Sequence, residues 1–377
     1  MLLSTMISHA QSTWNGGGAP DGNFTTAANW DVVPAGATTF NFAGSVNLNA
    51  TNNLTLTAAD STINFNAGAS SFAIWGGNIR IGGIANNSSV LQTIMQALTL
   101  NGTRTINVGT AGLILGAPAG STSTSGRTVT KTGTGNLIIL SALGPISGGS
   151  SYSVTQGGLV FSNATATTLG VGTANGVSLT ASGTTLQFGN SGTLSMSGAI
   201  TTVAGSSVTL NNSGNVTVTG GTTLTGASLT GTGHLLGGTV SAVGGSVAPG
   251  NSGIGTIFVA SLTLDAASTT TMEINRAGEI SDLISATGAL TYGGNLTVNN
   301  IGATLLAGDS FDLFSGTISG SFASTTLPTL LPGLSWDTSQ LNTAGIIDVT
   351  AVPEPATLAL LGLGGLMAVW QIRRRKA

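Results

Sequence analysis

Short segments in which apolar and polar residues alternate recur along most of this chain, and they constrain its fold more than any other feature. Examples are residues 39–42 (TFNF), 54–57 (LTLT) and 216–219 (VTVT). Alternation with a period of two, rich in β-branched residues, predicts β-strands with one buried face. Glycine, asparagine or serine commonly separates one segment from the next, as turns require. The sequence therefore predicts an all-β fold built from many short strands.

The composition favours a folded solenoid over a disordered chain. Charged residues make up 6% of the chain, against about 25% in a typical soluble domain. Hydrophobic residues make up 41% and the net charge is -3, whereas disorder usually requires low hydrophobicity and high net charge. Many short strands of near-repeating composition predict a solenoid. We therefore expect a right-handed parallel β-helix as the body, residues 11–300, with a β-sandwich as the alternative.

Residues 301–351 differ from this body because they are more aromatic and more acidic. Phe311, Phe314 and Trp336 lie here, together with Asp309 and Asp312. The open end of a solenoid exposes the edges of its strand ladders, and these edges have to be covered. We therefore expect residues 301–351 to form a β-rich C-terminal cap.

The last 26 residues combine a short motif, an apolar run and a basic cluster. Pro353, Glu354 and Pro355 precede the apolar run at residues 356–372. The prolines keep the backbone extended, which leaves it accessible to a processing enzyme. As a helix the run would be about 26 Å long, just short of a hydrocarbon core of about 30 Å. The sequence thus predicts a single C-terminal transmembrane helix, with residues 358–370 as its core. The basic cluster consists of Arg373, Arg374, Arg375 and Lys376.

This tail, residues 352–377, resembles a PEP-CTERM sorting signal, since the motif, the apolar span and the cations occur in that order. The resemblance implies an exported bacterial protein that an exosortase recognises at Pro353, Glu354 and Pro355. The cations at residues 373–376 would then be the membrane stop and orientation signal. It also implies a transient inner-membrane anchor in a Gram-negative-type bacterium, delivery to the cell surface or extracellular matrix, and an association with exopolysaccharide and biofilm. An ordinary single-pass anchor is the alternative.

The N-terminal residues fit an export signal only in part. Ser8, His9 and Ala10 form a small-x-small cleavage site before Gln11, but the preceding apolar stretch is short and has no basic residue. We interpret residues 1–10 as the end of a signal peptide whose start lies upstream, with cleavage after Ala10.

Three stretches of the body resemble parts of known surface proteins. Residues 129–161 contain VTKTGTGNLIILSAL and YSVTQGGLVF, and they resemble the autotransporter-associated β-strand repeat. Residues 247–300 are similar to the C-terminal coils of autotransporter passengers. The opening, with TWNGG at residues 13–17 and ANW at residues 28–30, resembles the usual beginning of such exported chains.

The distribution of charge excludes several classes of function. There is no basic stripe or arm, which argues against a nucleic-acid partner. The chain has no cysteine and only two histidines, of which His9 lies in the presumed signal remnant, so a zinc site is not expected. The one group of acids is Asp265, Glu273, Glu279, Asp282, Asp309 and Asp312. These acids lack the spacing of a calcium loop, and we expect neither a metal nor a cofactor.

Catalytic residues are also scarce. No Asp or Glu lies between Asp60 and Asp265, so the central coils cannot supply the carboxylate pair that acid–base glycosidases need. His234 would require a distant acid to act in a triad, and we interpret it as a solvent-facing coil residue. Arg127 and Lys131 are interpreted as surface charges.

We therefore expect a non-catalytic surface or extracellular-matrix protein. An adhesin is the first alternative. A β-helix polysaccharide lyase or hydrolase is the second, and it would depend on Glu273 and Asp282. Among the tryptophans, which can stack on sugars but are more often buried, Trp75 is the first to test.

Overall fold

The computed structural model describes residues 10–34, 38–116, 127–140, 151–162, 167–169, 176–250 and 252–352, and the single residues Met367, Gln371 and Arg374. Within these ranges the chain forms 32 β-strands and a short 3-10 helix, Ala27–Asn29. The strands are β1 (Ala10–Trp14), β2 (Thr38–Phe42), β3 (Asn49–Asn52), β4 (Leu56–Phe65), β5 (Ala73–Gly76), β6 (Ile79–Asn86), β7 (Gln92–Ile94), β8 (Leu98–Val108), β9 (Leu113–Leu115), β10 (Thr128–Thr132), β11 (Asn136–Ile139), β12 (Ser151–Val154), β13 (Gly158–Phe161), β14 (Thr167–Leu169), β15 (Val177–Leu179), β16 (Thr185–Phe188), β17 (Leu194–Met196), β18 (Ile200–Thr201), β19 (Ser207–Val218), β20 (Thr222–Thr225), β21 (Ser228–Val243), β22 (Ser246–Pro249), β23 (Thr256–Leu264), β24 (Thr269–Asn275), β25 (Ile280–Ser281), β26 (Leu283–Tyr292), β27 (Asn295–Asn300), β28 (Ser310–Asp312), β29 (Phe314–Gly320), β30 (Ser324–Thr326), β31 (Leu334–Asp337) and β32 (Ile346–Ala351).

Almost all of these strands stack in parallel, turn upon turn, and form three ladders. The first ladder runs through β1, β2, β4, β6, β8, β10, β12, β15, β18, β20, β21, β23, β26 and β29. The second runs through β3, β5, β7, β9, β11, β13, β16, β19, β21, β22, β24, β27 and β30. The prediction of an all-β parallel solenoid is therefore confirmed.

The third ladder joins β4, β6 and β8 near the start of the solenoid, and β14, β17, β19, β21, β23, β26 and β29 further along. Several long strands bend from one ladder into the next. β21 takes part in all three, because its start pairs with β22, its middle with β19 and its end with β20. One turn therefore consists of three strand segments around a common interior.

Aliphatic and aromatic side chains fill that interior, and each contacts its equivalent in the next turn. On the second ladder Leu137, Leu159, Leu186 and Val208 are in register and fully buried. Removing one such side chain from water contributes about 1.5–3 kcal/mol. The alternation noted in the sequence is thus the alternation between this core and the solvent-facing side.

Glycine is required where successive turns approach closely at a corner. Gly231 has a φ of 98°, and a Cβ at this position would lie 1.9 Å from the carbonyl oxygen of Leu210 in the preceding turn. Any other residue would clash with that oxygen and would also be strained at this φ.

The N-terminal end of the solenoid is closed by an aromatic cluster: Trp14, Phe24, Trp30, Phe40, Phe42, Phe65 and Phe72. The rings of Trp14 and Trp30 meet edge to face with centroids 4.9 Å apart. The side-chain amide of the fully buried Asn29 donates to the carbonyl oxygens of Asp21 and Asn23, and its oxygen accepts from the Gly18 amide. Nothing in the sequence-based reasoning predicted this cap.

The segment predicted as a C-terminal cap, residues 301–351, contains two kinds of structure. β29 and β30 continue the parallel ladders. β28, β32 and β31 instead form a separate antiparallel sheet in that spatial order, which we call the C-terminal sheet. Its inner side carries Phe311 and Ile347, which are both buried.

The two predicted terminal segments are only partly described. Residues 1–9 lie outside the described ranges, whereas Ala10 is the first residue of β1 and pairs with Thr38. In the predicted transmembrane helix, residues 358–370, only Met367 is described, and it is helical, as are Gln371 and Arg374. Among the described residues, no helix is both long and apolar enough to cross a membrane.

Candidate functional site

The sorting motif leaves the fold from the C-terminal sheet. β32 ends at Ala351, and the amide of the next residue, Val352, donates to the Gly333 carbonyl oxygen at 2.9 Å. Val352 is 49% exposed, so the chain enters the tail at the surface. The remaining predicted sorting residues lie outside the described part of the chain: Pro353, Glu354, Pro355, Arg373, Arg375 and Lys376.

A continuous line of hydroxyl side chains follows the outer side of the first ladder. We call it the hydroxyl column. Each member is the register partner of the next, except that Gly83 stands between the second and third members. Its members are Thr39, Thr62, Thr105, Thr130, Ser153, Ser178, Thr201, Thr223, Ser241, Thr263, Thr291 and Ser319.

The column is uncharged, partly exposed and regularly spaced. Parallel strands lie about 4.8 Å apart, so hydroxyl groups recur at that interval along the solenoid. Thr201 donates to the Ser178 hydroxyl at 2.9 Å, and the Thr291 and Ser319 hydroxyls are 3.3 Å apart. A hydroxyl has one donor and two acceptor sites, so one bond to a neighbour leaves capacity for a ligand or for water.

The two acids proposed as catalytic candidates, Glu273 and Asp282, are brought together. They line a cavity of about 250 Å³ that also includes Thr230, Ser252 and Thr271. Asp282 is 1% exposed, and its two carboxylate oxygens accept hydrogen bonds from the amides of Gly255 at 2.8 Å and Glu273 at 2.7 Å.

We call this space the carboxylate cavity, after Glu273 and Asp282. Its two carboxyl groups differ in their surroundings. Burial, and to a smaller extent repulsion from Glu273, raises the pKa of Asp282 to about 6, although the two backbone hydrogen bonds oppose the rise. Oε2 of Glu273 is buried and has no hydrogen-bond partner among the described residues. The cavity therefore holds two carboxyl groups in different environments.

Two other acids of the group, Asp265 and Asp309, make hydrogen bonds and an ion pair outside this cavity. Asp265 accepts from the backbone amides of Gly244 and Ala267, and Asp309 pairs with Arg276 at 3.3 Å. The described residues contain no group of three acidic or histidine side chains arranged to hold a metal ion.

His234 lies on the outer side of the third ladder, where it stacks on Phe258 of the next turn. The ring centroids are 4.4 Å apart and the planes differ by 7°. Nδ1 of His234 is buried and has no hydrogen-bond partner among the described residues. Both rings line an open cavity of about 520 Å³. The sequence singled out His234 but gave no sign of its partner, which comes from a different turn.

Lys131 is fully buried, so its interpretation as a surface charge is wrong. It lies in register between Ile106 and Val154, and its amine donates to the Gln156 carbonyl oxygen at 2.8 Å and to that of Gly133. Burial lowers the pKa of this amine to about 8. The alternation already contained the signal, because Lys131 occupies the same inward phase as Val129.

The four tryptophans that the structure describes divide between burial and exposure. Trp14 and Trp30 are buried in the N-terminal cluster, and Trp336 is half-buried and donates to the Pro328 carbonyl oxygen at 2.9 Å. Trp75 is 46% exposed on the outer side of the second ladder.

Comparison with known proteins identifies the tail. The family model for the PEP-CTERM protein-sorting motif matches residues 351–376. No curated protein matches this chain. The prediction of a PEP-CTERM sorting signal is therefore confirmed, and the motif implies an exported, cell-surface protein that an exosortase processes. The resemblance of the body to autotransporter-associated repeats stays a prediction.

Proposed function

We propose that this chain is a non-catalytic surface or extracellular-matrix protein that associates with exopolysaccharide through its solenoid. The sorting motif at residues 351–376 supports the route to the surface. In this route the tail anchors the chain transiently in the inner membrane, and an exosortase then cuts near Pro353, Glu354 and Pro355. The solenoid is the part that reaches the matrix.

The hydroxyl column is the observation that supports a glycan as the partner. A polysaccharide strand is long, periodic and rich in hydroxyl groups, and the column presents donors and acceptors at a regular interval of about 4.8 Å. No member of the column is charged. Its hydroxyls therefore suit a ligand that is recognised by many weak hydrogen bonds rather than by ion pairs.

Size-exclusion chromatography of the secreted protein with the exopolysaccharide of the producing strain tests this function. Co-elution of the protein with polymer of unchanged size is the expected result. Separate elution of protein and polymer would contradict it. In that case an assay of cell aggregation in a strain that lacks the polymer would show whether the protein acts as an adhesin.

The carboxylate cavity supports a second candidate, cleavage of a glycan by acid and base. Asp282, with its pKa of about 6, would be the acid, and Glu273 would be the base or nucleophile. In the same chromatographic experiment, a shift of the polymer to smaller size that is abolished by Glu273→Gln and by Asp282→Asn would establish this activity. A polymer of unchanged size excludes cleavage of that polymer.

A further inference from the structure

We propose that the cavity between β19, β21 and β23, around His234 and Phe258, is a binding subsite for one neutral sugar unit. The inference rests on the proposed function, because it takes the glycan partner from there, and it assigns a place on the solenoid where a single unit is held. The residues that carry it are Asn211, Asn212, Ser213, Thr232, His234 and Phe258.

The cavity forms where the solenoid turns the corner from the second ladder to the third. The pairing of β19 with β21 is interrupted between Asn211 and Asn215, and this irregularity opens a space of about 520 Å³. Gly233 keeps that space free, since a Cβ at this position would lie 2.2 Å from Oδ1 of Asn212. The corner thus combines an outward-facing aromatic stack with amides and hydroxyls.

Two buried polar atoms of the lining residues have no hydrogen-bond partner among the described residues. They are Oδ1 of Asn212 and Nδ1 of His234. Asn212 is only 5% exposed, and its NH₂ group is already used, because it donates to the carbonyl oxygens of Gly214 and His234. Such atoms also occur elsewhere among the described residues, and Oδ1 of Asn190 repeats the Asn212 arrangement in the preceding turn. Here, however, Nδ1 of His234 is unpaired as well, and both residues line one cavity. Since buried polar groups usually have a partner, a ligand would supply the missing bonds.

The aromatic stack specifies the apolar part of that ligand. Phe258 is on the outer side of the ladder, whereas phenylalanine is usually buried. One side of its ring is covered by His234, and its register partner in the next turn is the small Ser285. Within the cavity, a ligand with a flat apolar face can therefore lie against the part of the Phe258 ring that His234 leaves uncovered.

These features of the cavity together fit a sugar unit as the ligand. Its hydroxyl groups would donate to Oδ1 of Asn212 and complete the hydrogen bonding of Nδ1 of His234, and its C–H face would contact Phe258. A pocket with an aromatic wall and a few fixed polar groups is the usual form of a small-molecule site. Among the described residues, no acidic side chain, lysine or arginine lines the cavity, which favours a neutral unit over an acidic one.

The imidazole proton signals of His234 provide a direct NMR probe. The chain has two histidines, and a His234→Gln variant assigns the signal. The secreted protein would be titrated with neutral oligosaccharides released from the strain's exopolysaccharide by partial acid hydrolysis. We expect a saturable shift of the His234 signals. Phe258→Leu should weaken the apparent affinity about tenfold, because it keeps an apolar contact but removes the aromatic face.

Leu236→Ala is the matched control, since Leu236 is an outward-facing apolar residue of the same strand that does not line the cavity. It should bind as the wild type does, and the thermal unfolding of both variants would show that they are folded. Unmoved His234 signals with continued co-elution of the polymer would overturn the subsite and leave the proposed function standing. Equal weakening by both variants would also overturn the subsite, and loss of all glycan binding would overturn both proposals.

Discussion

Single residues in this solenoid follow the alternation of inward and outward positions even where their chemistry opposes it. Lys131 is inward, among aliphatic neighbours of the adjacent turns, and two backbone carbonyl oxygens accept its hydrogen bonds. Those bonds reduce the cost of burying the amine, while burial still lowers its pKa to about 8. The position of a residue in the alternation therefore decides whether its side chain faces the core or the solvent. Local hydrogen bonds offset part of the cost when that side chain is polar.

The pH dependence of the unfolding free energy, compared between the wild type and Lys131→Met, tests whether the Lys131 amine is buried. The ordinary pKa of 10.5 applies to the unfolded chain, and the folded value is about 8. Between these values the unfolded chain binds a proton that the folded chain has released, so the wild type becomes more stable as pH rises. Methionine does not titrate. From pH 8 to pH 10 the wild type should gain about 2 kcal/mol relative to the variant, measured by urea unfolding.

The tyrosines and all other titrating groups are shared by the two proteins, so their contributions cancel in the difference. A difference in unfolding free energy that stays constant between pH 8 and pH 10 would show that the amine is not buried in the folded protein.

Trp14→Ala tests the N-terminal aromatic cluster. Trp14 is 1% exposed, contacts Trp30 edge to face, and donates from its indole nitrogen to the Asn47 carbonyl oxygen at 3.2 Å. Loss of a buried tryptophan leaves a cavity and should lower the free energy of unfolding by about 3–5 kcal/mol. The same substitution at Trp75, which is 46% exposed, should cost less than about 1 kcal/mol. Equal losses in urea unfolding would contradict the role of the cluster as a cap.

At the scale of elements, the outer side of each ladder is a surface with its own composition. The first ladder carries the hydroxyl column along its length. The second carries a mixed row in register at the corresponding outward positions: Ile114, Ile138 and Val160, followed by Gln187, Thr209 and Thr230. The two ladders share one interior and one turn length, so their difference can be attributed to the outward residues alone.

The triple variant Thr201→Val, Thr223→Val, Thr263→Val tests the column. Valine keeps the β-branched shape and removes the hydroxyl group, so the fold should be retained. We expect the affinity for exopolysaccharide, measured from co-elution at several polymer concentrations, to fall about tenfold or more, since three hydrogen bonds of about 0.5–1.5 kcal/mol each are removed.

The matched control changes the same residue type on the second ladder: Thr93, Thr209 and Thr297 to valine. All three are outward-facing and half-buried. If the control weakens polymer binding as much as the column variant does, binding is not specific to the first ladder.

The strands and their pairings also show how much of the fold can be predicted from the sequence. The strands were predictable because alternation marks burial residue by residue, and Val216 and Val218 of β19 are inward as that pattern requires. Alternation does not specify the lengths of the turns. It therefore could not predict that β24 pairs with β27, or that Glu273 meets Asp282. Phe258 was missed for the same reason, since its partner His234 belongs to the preceding turn.

The whole molecule combines a parallel solenoid that has few charged residues with a C-terminal sorting motif. The motif was predictable because it is read as a linear sequence by a processing enzyme, and no fold is needed to recognise it. The N-terminal cap was not predictable because Asn29 and Trp30 acquire their roles only when Trp14, Phe24 and Phe42 converge on them. The sorting signal and the proposed binding surface thus lie in different parts of the chain and can be tested separately or together.

The most direct measurement is the distribution of the protein between the inner membrane and the exopolysaccharide fraction in the producing strain. It would compare the wild type with a variant in which Pro353, Glu354 and Pro355 are replaced by alanine. We expect the wild type in the polysaccharide fraction, shortened by its tail, and the variant in the inner membrane at full length. Equal distribution of the two proteins, or a wild type that keeps its tail in the membrane, would contradict the account.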